Sequence, residues 1–136
     1  MPDFDPQKPR YVLSIAGKDY EVEGTFGLIE AVEYAIKDNI LSVAARCPGM
    51  AVSDIARLLA AILNASGEKT SANAIGNILW NDVGITTEAY AMLCLHVHAF
   101  LRITMAKPSE RAEVAKQMGE LLGRPDSPGL TTSDSV

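Results

Sequence analysis

Three residues with metal-ligand chemistry sit close together, Cys94, His96 and His98, and they set the first question to put to this chain. On a strand, alternate side chains share one face, so the three would converge. On a helix, two residues turn the direction by about 200°, and His96 would point away from both neighbours. The surrounding run, TTEAYAMLCLHVHAFLRITM, is too long and too helical in pattern for a strand. Zinc-binding helices space their histidines three or four apart. The residues therefore read as a core histidine at His96, an exposed one at His98 near Arg102, and no metal site. The second cysteine, Cys47, precedes Pro48 and carries no local mark of an activated thiol. G-x-S-x-G elbows, P-loops and G-x-G-x-x-G turns are missing from the sequence. Glu30 and Glu33 share a helix face, the usual arrangement of a solvated surface. Neither a catalytic site nor a cofactor is expected.

Two features fit binding instead. Trp80, the only tryptophan, projects away from the apolar stripe Ile75, Ile78 and Leu79, toward the side carrying Asn73 and Asn77. It could anchor a partner, as tryptophan does at interface hot spots, or pack against another helix or a hairpin. The segment 109–122 has one clean stripe, Val114, Ala115, Met118, Leu121 and Leu122, which could lie in a partner's groove or dock on its own bundle. Trp80, Val114, Met118, Leu121 and Leu122 are the candidate partner-binding residues.

The elements that must position these residues can be read from pattern. Hydrophobic residues make up 48% of the 136 and charged residues 21%, the balance of a single globular domain. Residues 1–9 hold three prolines and are expected to lack regular structure. Tyr11–Ala16 and Asp19–Glu23 read as a hairpin with a Gly17-Lys18 type II′ turn, placing Ile15 opposite Tyr20 and Leu13 opposite Val22. Such a ribbon is marginal alone and needs helices to cover it.

Thr25 is placed to cap a helix bearing Leu28, Ile29, Val32, Ala35 and Ile36 on one face. Asp38-Asn39 interrupts it, and a short helix runs from Ile40 to Arg46. Ser53 is expected to cap the next, whose stripe is Ile55, Leu58, Leu59, Ile62 and Leu63. A helix from about Ser71 uses Ile75, Ile78, Leu79 and Val83 and stops at Gly84. Thr86 or Thr87 caps the longest, Glu88 to Met105, whose polar sector holds only Glu88, His98 and Arg102. A helix apolar nearly all round belongs in the middle of a bundle. Ser109 is expected to cap the last helix, ending near Leu122-Gly123, and 124–136 reads as a flexible tail. The fold class is α+β and mainly helical, an N-terminal β-hairpin packed on five to six helices within 10–123.

The net charge of -5 weighs against nucleic acid as a partner, since phosphate binding needs a concentrated basic surface. The N-terminal MPDFDPQKPR has prolines and acids where a signal peptide needs an apolar run. The longest apolar segment carries two histidines and an arginine, unlike a membrane span. A cytosolic, reduced protein is expected.

The layout of a hairpin, then Gly24-Thr25-Phe26-Gly27-Leu28-Ile29-Glu30-Ala31-Val32-Glu33, then Ser53-Asp54-Ile55-Ala56-Arg57-Leu58-Leu59 and Ala60-Ala61-Ile62-Leu63, resembles the tail assembly chaperones of gene transfer agents and related tailed phages. The resemblance spans residues 10–105. The amide-rich segment with Asn73, Asn77 and Asn81, and the extension at 109–122, depart from that pattern. The resemblance implies a protein of the bacterial host cytoplasm that binds the tape measure protein, keeps it soluble during tail assembly, and then leaves. It implies no catalytic residue and no cofactor. The alternative is a minor structural component retained in the finished particle. Self-association would let several copies coat one extended partner.

Overall fold

A computed structural model describes residues 9–121. Among them a two-stranded antiparallel sheet, β1 (Arg10–Ile15) and β2 (Lys18–Glu23), precedes six α-helices: α1 (Phe26–Ile36), α2 (Ile40–Arg46), α3 (Val52–Ala65), α4 (Ala72–Ile78), α5 (Glu88–Met105) and α6 (Pro108–Leu121). A 3-10 turn, Cys47–Gly49, joins α2 to α3, and a π-helical segment, Leu79–Val83, continues α4. The expected class, mainly helical α+β with an N-terminal hairpin, is the one observed.

The hairpin turns one residue earlier than expected. Ala16 and Gly17 both have positive φ, 53° and 83°, which makes a type I′ turn in place of type II′. The register pairs Ile15 with Lys18, Leu13 with Tyr20 and Tyr11 with Val22. Each partner thereby moves by two places, so every side chain keeps its face. Tyr11, Leu13, Ile15 and Val22 are buried as the alternation required. Pro9, expected to lie in an unstructured lead-in, is buried, and its carbonyl accepts the Gly24 N–H at 2.8 Å. The rest of that lead-in, 1–8, and the tail 124–136 lie outside the described residues.

Local caps define the helices. The Thr25 hydroxyl accepts the Leu28 N–H at 3.0 Å. Lys37 ends α1 in the left-handed region, and Asn39 then accepts the Ser42 N–H to begin α2. Glu33 is half-buried and accepts the Ile40 N–H at 2.8 Å, so it supplements that cap rather than joining Glu30 in a solvated pair. Two expected caps are corrected. Helix α3 begins at Val52 behind Ala51, with Ser53 inside its first turn. The Ala51 carbonyl accepts the Asp54 and Ile55 N–H groups, which commits the chain to the helix before Ser53 is reached. Helix α6 begins at Pro108, whose fixed φ and missing N–H suit the first helical position, so Ser109 lies within the helix.

Helix α5 is central. Leu93, Cys94, His96, Val97, Ala99, Phe100, Leu101, Ile103 and Thr104 are all buried. It packs against β1, α2, the 3-10 turn, the π segment and α6, while α3 backs α1 and α4. Arg111 of α6 donates to the Ala106 carbonyl at 2.7 Å and the Thr104 carbonyl at 3.2 Å, tying α6 to the C-terminal end of α5. No helix among the described residues is long and apolar enough to cross a membrane.

Two substitutions test this frame. Phe100→Ala removes a ring with 0% exposure and should cost about 3–5 kcal/mol in chemical denaturation. Ala16→Asn places a residue more tolerant of positive φ at the turn and should raise stability by about 0.5–1 kcal/mol, read as a higher denaturation midpoint.

Candidate protein-interaction surface

The three clustered ligand-type residues of α5 address three different neighbours. His96 is buried, its Nδ1 2.9 Å from the Tyr11 hydroxyl of β1. His98 is half-buried rather than exposed: its Nδ1 lies 2.9 Å from the Ala44 carbonyl of α2. A carbonyl can only accept, so His98 carries its proton on Nδ1 and donates to it. Cys94 faces the 3-10 turn, where the Cys47 thiol donates to the Cys94 carbonyl with sulfur and oxygen 3.7 Å apart. These residues hold the bundle together. Their separation along the chain hid those partners, 85 residues away for His96 and 54 for His98.

The two thiols are free and buried. Burial, reinforced by Cys94 alongside, pushes the Cys47 pKa from 9.0 up to about 12. Burial also raises Cys94, and it raises the hydroxyl of Tyr90, one helical turn before it. All three groups are held in their protonated forms at neutral pH, the opposite of what a nucleophile requires.

The outward face is different. Trp80 is 67% exposed. Its position follows from the π-helical turn, in which the Gly84 N–H reaches back five residues to the Leu79 carbonyl at 2.8 Å. Leu79 is buried and fixes the start of that turn, and Trp80 follows it into solvent. Gly84 closes the turn at φ 88°, and a Cβ there would stand 2.9 Å from Thr87 Cγ2. Thr87 donates its hydroxyl to the Gly84 carbonyl and accepts the Tyr90 N–H, so the turn runs directly into the capped start of α5. Asn73, Asn77 and Asn81 are exposed, and Ile85 just beyond the turn is 41% exposed. Phe26, Tyr34 and Leu41 are exposed on α1 and α2.

Beside the π turn lies an open cleft of about 390 Å³. Val12, Ser14, Ala16 and Gly17 of the hairpin form one wall, Ala89, Met92, Leu93 and His96 of α5 the other, and Asp82 and Val83 one end. Sequence reasoning found Trp80 but not the cleft, whose walls come from segments about 75 residues apart.

The other candidate residues are placed differently. Val114 and Met118 are half-buried against the core and Ala115 is fully buried, so the described part of that stripe docks on its own bundle. Leu122 lies outside the described residues, as does the side chain of Leu121. Comparison of the chain with protein-family models, curated proteins and solved structures found no match.

The thiol environment has a measurable consequence. Because Cys47 titrates higher in the folded state than its ordinary 9.0, its contribution to stability is complete below pH 9 and is lost as pH rises toward 12. Iodoacetamide at pH 8 should leave both cysteines unlabelled in the folded protein and label both in denaturant, as read by intact mass.

Proposed function

We propose that this chain is an assembly chaperone for phage-like tails, working in the bacterial cytoplasm by binding the tape measure protein while the tail tube forms. The observation that carries the reading is the exposed Trp80, presented on a hydrogen-bonded π-helical turn whose Asp82 and Val83 end an open, largely apolar cleft. Tryptophan is expensive to leave in water, and it anchors interfaces because burial of its large ring by a partner is strongly favourable. The net charge of -5 keeps a protein with such exposed apolar groups soluble.

The reading is of a binder and not an enzyme. Cys47, Cys94 and Tyr90 are held protonated, and the histidines of α5 are engaged with Tyr11 and Ala44. Partner contact on one face leaves the buried frame intact, which suits a protein that binds and later departs. The resemblance to tail assembly chaperones, carried by the hairpin, the Thr25-led helix and the Asp54-containing helix, supports the same reading.

Co-expression with a tape measure protein should yield a soluble complex. Trp80→Ala should weaken it by about tenfold or more while shifting the free protein's stability by no more than about 0.5 kcal/mol. Titration calorimetry and denaturation read the two effects separately. Mass spectrometry of purified particles should find the chain missing, whereas a fixed stoichiometry there would identify a structural tail component.

A further inference from the structure

The hairpin leaves a strand edge open, and the cleft runs along it. In a hairpin with a two-residue turn, the residues flanking the turn exchange hydrogen bonds, and the bonded pairs then alternate. The register makes Ile15–Lys18, Leu13–Tyr20 and Tyr11–Val22 the bonded pairs. The N–H and C=O groups of Val12 and Ser14 therefore point away from β2. Both residues line the cleft, and neither backbone has another partner among the described residues. On β2 the corresponding edge is partly closed, since the Glu23 N–H donates to the Ser66 hydroxyl. The β1 edge has no such contact at Val12 or Ser14, the two strand residues that border the cleft.

We propose that the β1 edge takes an extended, basic segment of a partner protein as a third strand. Unpaired strand edges bind in this way, with the backbone giving affinity and flanking pockets selecting alternate side chains. Val83, Met92 and Leu93 supply apolar wall for every second residue of such a segment. Charge complementarity sets the rest. Asp82 lines the cleft, Asp19 stands across from Ser14 and accepts its hydroxyl, and Glu21 stands across from Val12. All three acids are exposed. Lys18, at the turn, lays its ammonium 5.0 Å from the Tyr20 ring centroid on the hairpin's other face. Asp82 borders the cleft itself, while Asp19 and Glu21 stand one strand further off on the same outward face, within reach of long lysine or arginine side chains that pass over Val12 and Ser14. The exposed Arg10 at the start of β1 directs those side chains toward the Ser14 end, and an acidic strand is repelled. The proposal rests on the chaperone reading only for the occupant being another protein; the mode comes from the edge and the cleft.

The test uses the whole chain and a defined probe, the acetylated and amidated peptide Lys-Val-Thr-Val-Lys-Val-Thr. Amide NMR should show the Val12 and Ser14 N–H signals shifting and their exchange slowing on titration. A peptide N-methylated at alternate residues, which cannot donate along one edge, should bind about tenfold or more weakly, as should a version with glutamate for lysine. Asp82→Asn, a surface change, should weaken the lysine peptide with the fold intact. The proposal is overturned if the lysine peptide fails to bind, if N-methylation makes no difference, or if Val12 and Ser14 are unmoved by binding. It is equally overturned if those amides are already protected in the free protein in a concentration-dependent manner, which would show a second copy's strand on the edge. Failure of the tape measure complex to form, with the peptide result positive, would reject the chaperone reading and leave this site standing.

Discussion

Everything in this molecule is arranged around one constraint: α5 is too apolar to stand in water on any but one narrow side. With nine of its residues buried, it can exist only if other segments cover it. Each cover is fastened by a specific contact. Tyr11 of the hairpin places its ring 5.7 Å from that of Phe100 and its hydroxyl against His96. Ala44 of α2 receives His98, Cys47 of the 3-10 turn meets the Cys94 carbonyl, and Arg111 of α6 closes the C-terminal end. A polar group in such a core costs stability unless it is paired, so these contacts also fix which segment covers which part of the helix.

The open features follow from how that cover is distributed. Helix α5 takes the hairpin's inner face, which fixes the ribbon but leaves the backbone edge at Val12 and Ser14 without a neighbouring strand. The π-helical turn carries the chain from α4 into α5 and leaves Trp80 outside the core. Edge and tryptophan thus lie on the two segments that converge at the N-terminal half of α5. The surface proposed for partner binding lies where the packing of a small domain stops.

Much of the frame was legible because hydrophobic period and caps are local. The stripes of α1, α3 and α5, the cap at Thr25, the start of α4 near Ser71, a cap for α5 at Thr86 or Thr87, and the two faces of the hairpin were all readable from spacing. What escaped has a physical reason in each case. Moving the hairpin turn by one residue shifts partners by two, and alternation cannot detect that. Ile75, Ile78, Leu79 and Val83 fit one continuous α-helix as well as one that widens after Ile78. His98 stands on the polar sector as expected, yet α2 happens to reach it with a carbonyl. The stripe of α6 fitted both a partner's groove and its own bundle, and only packing places Val114 and Met118 on the core. The cleft, made by β1 and α5 together, had no local signature.

The claim on which the functional account turns is that a partner is held at Trp80 and at the cleft while the α5-centred frame stays as it is. Hydrogen exchange of the chain with and without co-expressed tape measure protein tests it directly. The account predicts new protection in β1 and in the stretch from Trp80 to Met92, with the slow amides of the buried half of α5 unchanged. Protection gained only on α1 and α2, or a general loss of protection along α5, would contradict it.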